Sequence, residues 1–479
     1  MKSGIRSNPA HTLRRAAIVL GASLLAVIVV CGGLLGVFLW HFHIFAPKPG
    51  YPAPASALEA QRQDLDYFSR LMALDRAFSP AARAEGEKRV AALQDLSAPL
   101  QPAKLHVALM QVMALADNGH SRMRPTAPQD TLLLPVRVTR FAEGFYVMRA
   151  APAHRALLGG RVEAINGVPF DQVLTRLETL KGGTEAFRRE NAAVYIVIQD
   201  LLYGLGIASG PRTSVWTVRL PDGQQVTETL TATPLVKGDE LPNGVRWLSP
   251  EPLHGSTKDW VAYRPASGSV PETWRDFDNH FRRIVTPGSC AITVRLQHIV
   301  DTDGQKIAPF LVDTEAALRS YPPCAVILDL RGDSGGDYTK AWHFTHVLPT
   351  LLAPGGRIFV LTDPQTFSAA ITATAFAKEA GGDKVTIIGE PVGDRLSFFS
   401  EGGSGCLPNL KVCVSYQTGK HDYARPCRDW GQCFWLNWFY PVRVKSLEPD
   451  ILVPLRFADW NRGRDAAYAE ALAKATPSG

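Results

Sequence analysis

The sequence predicts an α/β protein in which a largely parallel sheet is covered by helices, preceded by a β-rich stretch and a helical segment, behind one membrane-spanning helix. Three observations predict it. After about residue 255, apolar strand-length runs alternate with helical stretches; residues 132 to 232 carry strand patterning broken by turn signals; and Ala16 to Trp40 contains no charged residue. An apolar share of 46% with 20% charged residues describes a folded chain, and 479 residues suffice for two or three domains.

The N-terminal run comes first. Lys2, Arg6, Arg14 and Arg15 supply four of the formal net charge of +6, with no acidic residue before residue 41. The run that follows reaches ~37 Å as a helix, enough for a ~30 Å hydrocarbon core. A cleaved leader has an apolar core of only ~7–15 residues, so an uncleaved anchor is the expectation. A leader cut would fall near Ala53 to Ala57. The basic flank predicts a cytoplasmic tail (residues 1–15), a transmembrane anchor (16–40) with Trp40 at the far interface, and everything later outside the cytoplasm. In a bacterial cell that is a single-pass inner-membrane protein with its ectodomain in the periplasm or outside the cell. Prolines 47, 49, 52 and 54 make residues 41–56 a stiff linker. No basic stripe interleaved with aromatics asks for nucleic acid.

Cysteine usage suits that compartment. Cys31 lies in the span, leaving Cys290, Cys324, Cys406, Cys413, Cys427 and Cys433. An even number outside the cytoplasm predicts disulfides. Cys290 and Cys324 each stand at the start of an apolar strand, so parallel neighbours would bring them together. Cys406–Cys413 and Cys427–Cys433 would close local loops. The alternative is a zinc site of His421 with Cys427 and Cys433. No C-x-x-C pair supports it, and neither a metal nor an organic cofactor is expected.

Residues 57–125 repeat apolar positions at three- and four-residue steps, with Pro80 and Pro102 near helix starts. The last of these helices stops at Asn118-Gly119, directly before His120. Residues 126–235 form a β region; its segment Val162 to Pro169, followed by a helix from Asp171 to Leu180, resembles a PDZ module, which accepts a peptide as an added strand. In residues 236–479, strands are expected at Ala291 to Leu296, Ala325 to Leu330, Arg357 to Leu361 and Val385 to Ile388, with helices at 307–320, 337–352 and 367–380. Such sheets place their chemistry at the C-terminal strand ends.

Two strand ends carry informative residues. One reads Asp329-Leu330-Arg331-Gly332-Asp333-Ser334-Gly335-Gly336; the other runs from Leu361 to Thr366-Phe367-Ser368-Ala369-Ala370. A serine opening a helix after a strand is an N-cap or a nucleophile, since free N–H groups there favour developing negative charge. These segments, with Gly389-Glu390-Pro391-Val392-Gly393 and Glu448-Pro449-Asp450-Ile451, resemble the tail-specific, or C-terminal processing, serine peptidase family over roughly residues 57–455. The resemblance implies a Clp protease/crotonase-like catalytic domain, Ser368 as nucleophile, and an oxyanion hole from Ala369 and a glycine of Gly335-Gly336.

A gapless count to the lysine base of many family members reaches Arg395, which stays protonated and cannot be a base. The tricorn-like branch of the family uses a histidine in a setting similar to Ala116-Asp117-Asn118-Gly119-His120-Ser121, which implies His120 as base. The branch's orienting glutamate would fall at Arg443. Asp422 is the substitute candidate, with Glu448 and Asp429 behind it. Gly332 to Gly336 also spells a chymotrypsin-type nucleophile pentapeptide around Ser334, but the strand-and-helix context is wrong for that fold. The expected activity is hydrolysis of peptides or proteins near C-termini. The rival, motivated by the missing glutamate and lysine, is a non-catalytic peptide-binding or scaffold protein.

Overall fold

The computed structural model describes residues 9–475 apart from 237, 240–243, 265–269 and 303; Lys2 and Arg6 therefore lie outside the described residues. Helix Pro9–His41 opens the chain, and its Ser23–His41 window is long and apolar enough to cross a membrane, with mean hydropathy 2.5 and none of it buried. The proline-rich segment after it does not stand free as a spacer. Phe42 is fully buried, its carbonyl accepts from the Thr418 hydroxyl, and the carbonyls of His43 and Pro52 accept from Tyr416 and Gln63. The segment is a strap lying on the folded part of the chain that follows it.

Helices Ala57–Leu74, Pro80–Gln94 and Pro102–Ala114 follow, the first capped by the Ser56 hydroxyl and the other two opened by proline. Their buried face packs with Leu407, Val412, Val414 and Tyr416 from far along the chain. The physical link is a three-stranded antiparallel sheet in which Arg122–Pro125 pairs with Val412–Tyr416, itself paired with Gly403–Cys406. Residue 125 therefore marks no break between separate cores.

The β region forms a seven-stranded antiparallel sheet around Val136–Phe141, Gly144–Ala150, Arg161–Ile165, Thr213–Arg219 and Gln225–Thr231. Helix Phe170–Glu178 follows its short hairpin. Two further helices, Glu185–Tyr195 and Gln199–Gly204, follow it. The first is tied to the rest of the molecule by a buried cation. Arg140 pairs with Glu190 at 2.7 Å and with Glu390 at 2.9 Å, and Gln365 donates to Glu190.

The sheet of the C-terminal half has six strands in sequence order: Phe281–Val285, Ala291–Leu296, Ala325–Asp329, Arg357–Thr362, Val385–Gly389 and Ile451–Leu452. All pairings are parallel except the first, whose strand is an antiparallel edge that the alternation did not reveal. Helices Ile307–Ser320, Thr339–Val347 and Ala369–Gly381 fall where expected, and Ala466–Ala475 packs on the other face. Parallel register aligns Ala291 with Ala325, and the Cys324 N–H donates to the Cys290 carbonyl. Cys290–Cys324, Cys406–Cys413 and Cys427–Cys433 are all disulfides. The last bridge removes both thiolates from the zinc alternative, and no other metal-binding group of His, Cys, Asp or Glu occurs among the described residues.

Candidate active site

Ser368 stands at the junction of the turn after strand Arg357–Thr362 and helix Ala369–Gly381, with φ 54° and ψ −121°. A non-glycine residue at positive φ costs of order 1–3 kcal/mol and persists only where its surroundings impose it. Here the imposing groups are visible. The Thr366 hydroxyl donates to the Leu330 carbonyl, the Phe367 N–H to the Asp333 carbonyl, and Asp363 accepts the N–H groups of Gln365 and Thr366. The Ser368 side chain caps no helix N–H, so the bland capping role is unfilled.

Gly335 presses against this turn. At φ 102° it has no room for a side chain, since a Cβ would lie 2.6 Å from Ser368 Cβ and 2.8 Å from the Ala369 nitrogen. The Gly335 N–H is used, donating to Asp333 Oδ1 at 2.8 Å. Gly336 is bridged to Ile299 through its neighbours' groups, and among the described contacts its own N–H and that of Ala369 have no partner. Of the expected hole residues, Gly336 and Ala369 thus present donors, and Gly335 supplies close approach.

His120 reaches the site from the helical segment. Asn118 binds both backbone groups of Phe399, donates to the Ser121 hydroxyl, and Ser121 donates to buried Asp75 at 2.7 Å. Gly119 is needed for contact, because a Cβ would meet the Phe367 ring at 2.7 Å and Asp394 Oδ2 at 3.0 Å. Arg395 clamps the same turn, bonding the carbonyl and carboxylate of Asp117 at 3.0 and 2.8 Å. The residue at the lysine position therefore has a positional role.

The His120 ring lies between Phe367 (4.3 Å between centroids) and Phe398 (5.3 Å), and Phe398 stacks in turn on buried His421. Neither His120 nitrogen makes a hydrogen bond, so it is not bonded to Ser368 here. Its Nδ1 faces Asp394 Oδ2 at 4.0 Å; that oxygen is buried and lacks a hydrogen bond of good geometry, although the Gly119 N–H lies close enough to favour the charged carboxylate. Burial, then the nearby His421, Lys181 and Arg122, hold the imidazole well below its ordinary pKa. Burial pushes Asp394 up to about 6 against a hydrogen bond from the Arg395 N–H. Two orphaned polar groups facing each other need only a small closure to pair.

Asp422 does not fill the expected place. Its carboxylate accepts the N–H groups of Ala424 and Arg425 and pairs with the Arg425 side chain, and strand alternation turns it away from buried His421. Asp429 is spent on the Gly431 N–H, and Glu448 sits in a loop with its N–H on Ser446. Asp394 was legible only as the residue preceding Arg395. Ser334 is exposed, with Oγ 3.4 Å from His298 Nδ1 and no helix N-terminus behind it.

A cavity of about 740 Å³ adjoins the site, walled by Gly119, Phe367 and Ser334 and by the cations Arg122, Arg124 and Lys181. Burial, then Arg122, lowers the Lys181 pKa to about 7. No protein-family model and no curated relative matches the chain. Among solved structures it is similar to mature CPAF (TM-score 0.55, 14% identity, 87% of this chain and 96% of that one). It is similar also to mature CPAF complexed with lactacystin (TM-score 0.56, 13% identity, 87% and 97%). The chain thus shares its fold with these proteins over most of both lengths.

Proposed function

We propose that this protein is a membrane-anchored, extracytoplasmic serine peptidase that hydrolyses peptide or protein substrates near C-termini. The observation that carries the reading is the strained Ser368 turn, held against Gly335 with the Ala369 N–H unengaged, and followed back one residue to Phe367, on which the ring of the unsatisfied His120 stacks beside Asp394. In this reading Ser368 Oγ attacks the scissile carbonyl and His120 takes its proton. Asp394 stabilises the imidazolium, and the N–H groups of Ala369 and Gly336 receive the oxyanion. Protonated His120 then gives its proton to the leaving amine. The fold shared with the lactacystin-bound protein supports it. So do the PDZ-like segment, read as a peptide-holding module, and the sheet half, read as Clp protease/crotonase-like.

The apolar, unburied Ser23–His41 window and the three disulfides support an anchor with the ectodomain in an oxidising space. One observation favours a second reading, a non-catalytic peptide-binding scaffold: His120 and Ser368 share no hydrogen bond. A fluorophosphonate probe separates the two. Labelling lost in Ser368→Ala and His120→Ala, and kept in Ser334→Ala, supports the peptidase. A folded wild-type chain that never labels supports the scaffold.

A further inference from the structure

Outside the N-terminal helix, the exposed phenylalanine and tryptophan side chains among the described residues are Phe45, Trp430, Trp438 and Phe439, at 76, 59, 40 and 75% exposure. Three of them share one short loop, and that loop packs where the N-terminal helix leaves off. Phe38 and Phe42 pack on Phe434 and Trp435, and His41 stacks on Trp435 at 4.8 Å. Trp430 in turn stacks near Trp435 and Trp438, at 4.3 and 5.0 Å. Arg76 fastens the two parts, donating to the carbonyls of His41, Thr418 and Gly431. The Cys427–Cys433 bridge closes the loop, and the indole N–H groups of Trp435 and Trp438 are bonded to the carbonyls of Trp430 and Cys427. What Trp438 shows to its surroundings is therefore apolar ring.

Such a patch is unfavourable in water and marks an interaction surface. Its position names the occupant. A bilayer holding the helix, with exposed Trp40 at its end, lies against this loop, and ring-rich, amphipathic surfaces of this kind settle at the headgroup boundary. Arg428, exposed in the same loop, is placed for lipid phosphates. We infer that loop 427–439 is a second membrane contact, inserted in the outer leaflet beside the helix, so that the ectodomain is held in one orientation on the lipid surface. The inference rests on the anchor reading above. It also reaches the site: Asn437 Nδ2 donates to His421 Nδ1, and His421 begins the ring stack that ends at His120.

The test uses the full chain in phosphatidylcholine nanodiscs, with lipids brominated high on the acyl chains to quench tryptophan emission. Trp430→Phe with Trp438→Phe keeps the rings and removes the reporters; Trp40→Phe reports the helix separately. With the loop inserted, the double variant should lose about half of the quenched emission, two of the four indoles at the interface beside Trp435 and Trp40, and Trp40→Phe about a quarter. If the double variant quenches as wild type does while Trp40→Phe abolishes quenching, the anchor stands and the loop proposal is overturned. A chain that does not co-migrate with the nanodiscs overturns the anchor, and the loop contact with it.

Discussion

Replacing Asp394 by Asn keeps the size of the side chain and removes the charge that faces His120. The expected loss follows from the geometry. In the proposed mechanism His120 accepts the serine proton, which would place an imidazolium 4.0 Å from the Asp394 carboxylate, both largely shielded from solvent. Two unit charges at that distance interact by ~4 kcal/mol at an effective dielectric constant of ~20, about three decades in rate. Asp394→Asn should therefore slow modification of Ser368 ~10³-fold, whereas Asp422→Asn, whose carboxylate serves its own loop, should leave the rate nearly unchanged. Because the substrate is open, the assay is the second-order rate of fluorophosphonate labelling, read by intact mass, with circular dichroism to show that each variant is folded. The pH profile adds a second arm. Asp394 titrates at about 6, and its charged form exists above that value, so the wild-type rate should fall as pH drops through about 6. The Asn variant should lack that limb. A folded Asp394→Asn protein within a few-fold of wild type, or an Asp422→Asn protein that is inert, would refute the assignment.

Gly335→Ala should give a folded but poorly labelled protein, or one destabilised by ~1–3 kcal/mol, because the new methyl meets Ser368 and the Ala369 nitrogen below 3 Å; urea unfolding alongside labelling distinguishes them. Arg140→Ala strands Glu190 and Glu390 in a buried setting and should cost ~3–5 kcal/mol in denaturant unfolding. Removing the Cys290–Cys324 bridge with paired serines frees a loop with sequence separation 34, worth ~3–4 kcal/mol in the chain-entropy model. A clear drop in Tm is expected, and non-reducing peptide mapping of wild type should show all three bridges.

Sequence alone determined what is written in local pattern. The alternation of apolar runs with helical stretches placed the four central parallel strands within a residue or so, because buried parallel strands must be continuously apolar. The same parallel register brought Cys290 to Cys324. The membrane-length run and the helix-opening prolines are likewise local physics. Ser368 could be singled out only because its segment, the glycine-rich strand end and the later Gly-Glu-Pro and Glu-Pro-Asp segments together resemble one peptidase family; a serine opening a helix is by itself an ordinary N-cap.

What only the tertiary structure decided depends on groups distant in the chain. Asp394 and Asp422 look alike as loop carboxylates, and burial beside His120, at a sequence separation of 274, is what separates them. Arg395 looked like a failed base until its clamp on Asp117 appeared. The proline-rich strap could not be told from a free spacer, since its anchoring groups are Thr418, Tyr416 and Gln63. A residue's charge and shape are fixed by its identity, but its solvation and its partners are set by packing, and those are the terms that make a carboxylate catalytic or a proline tract rigid.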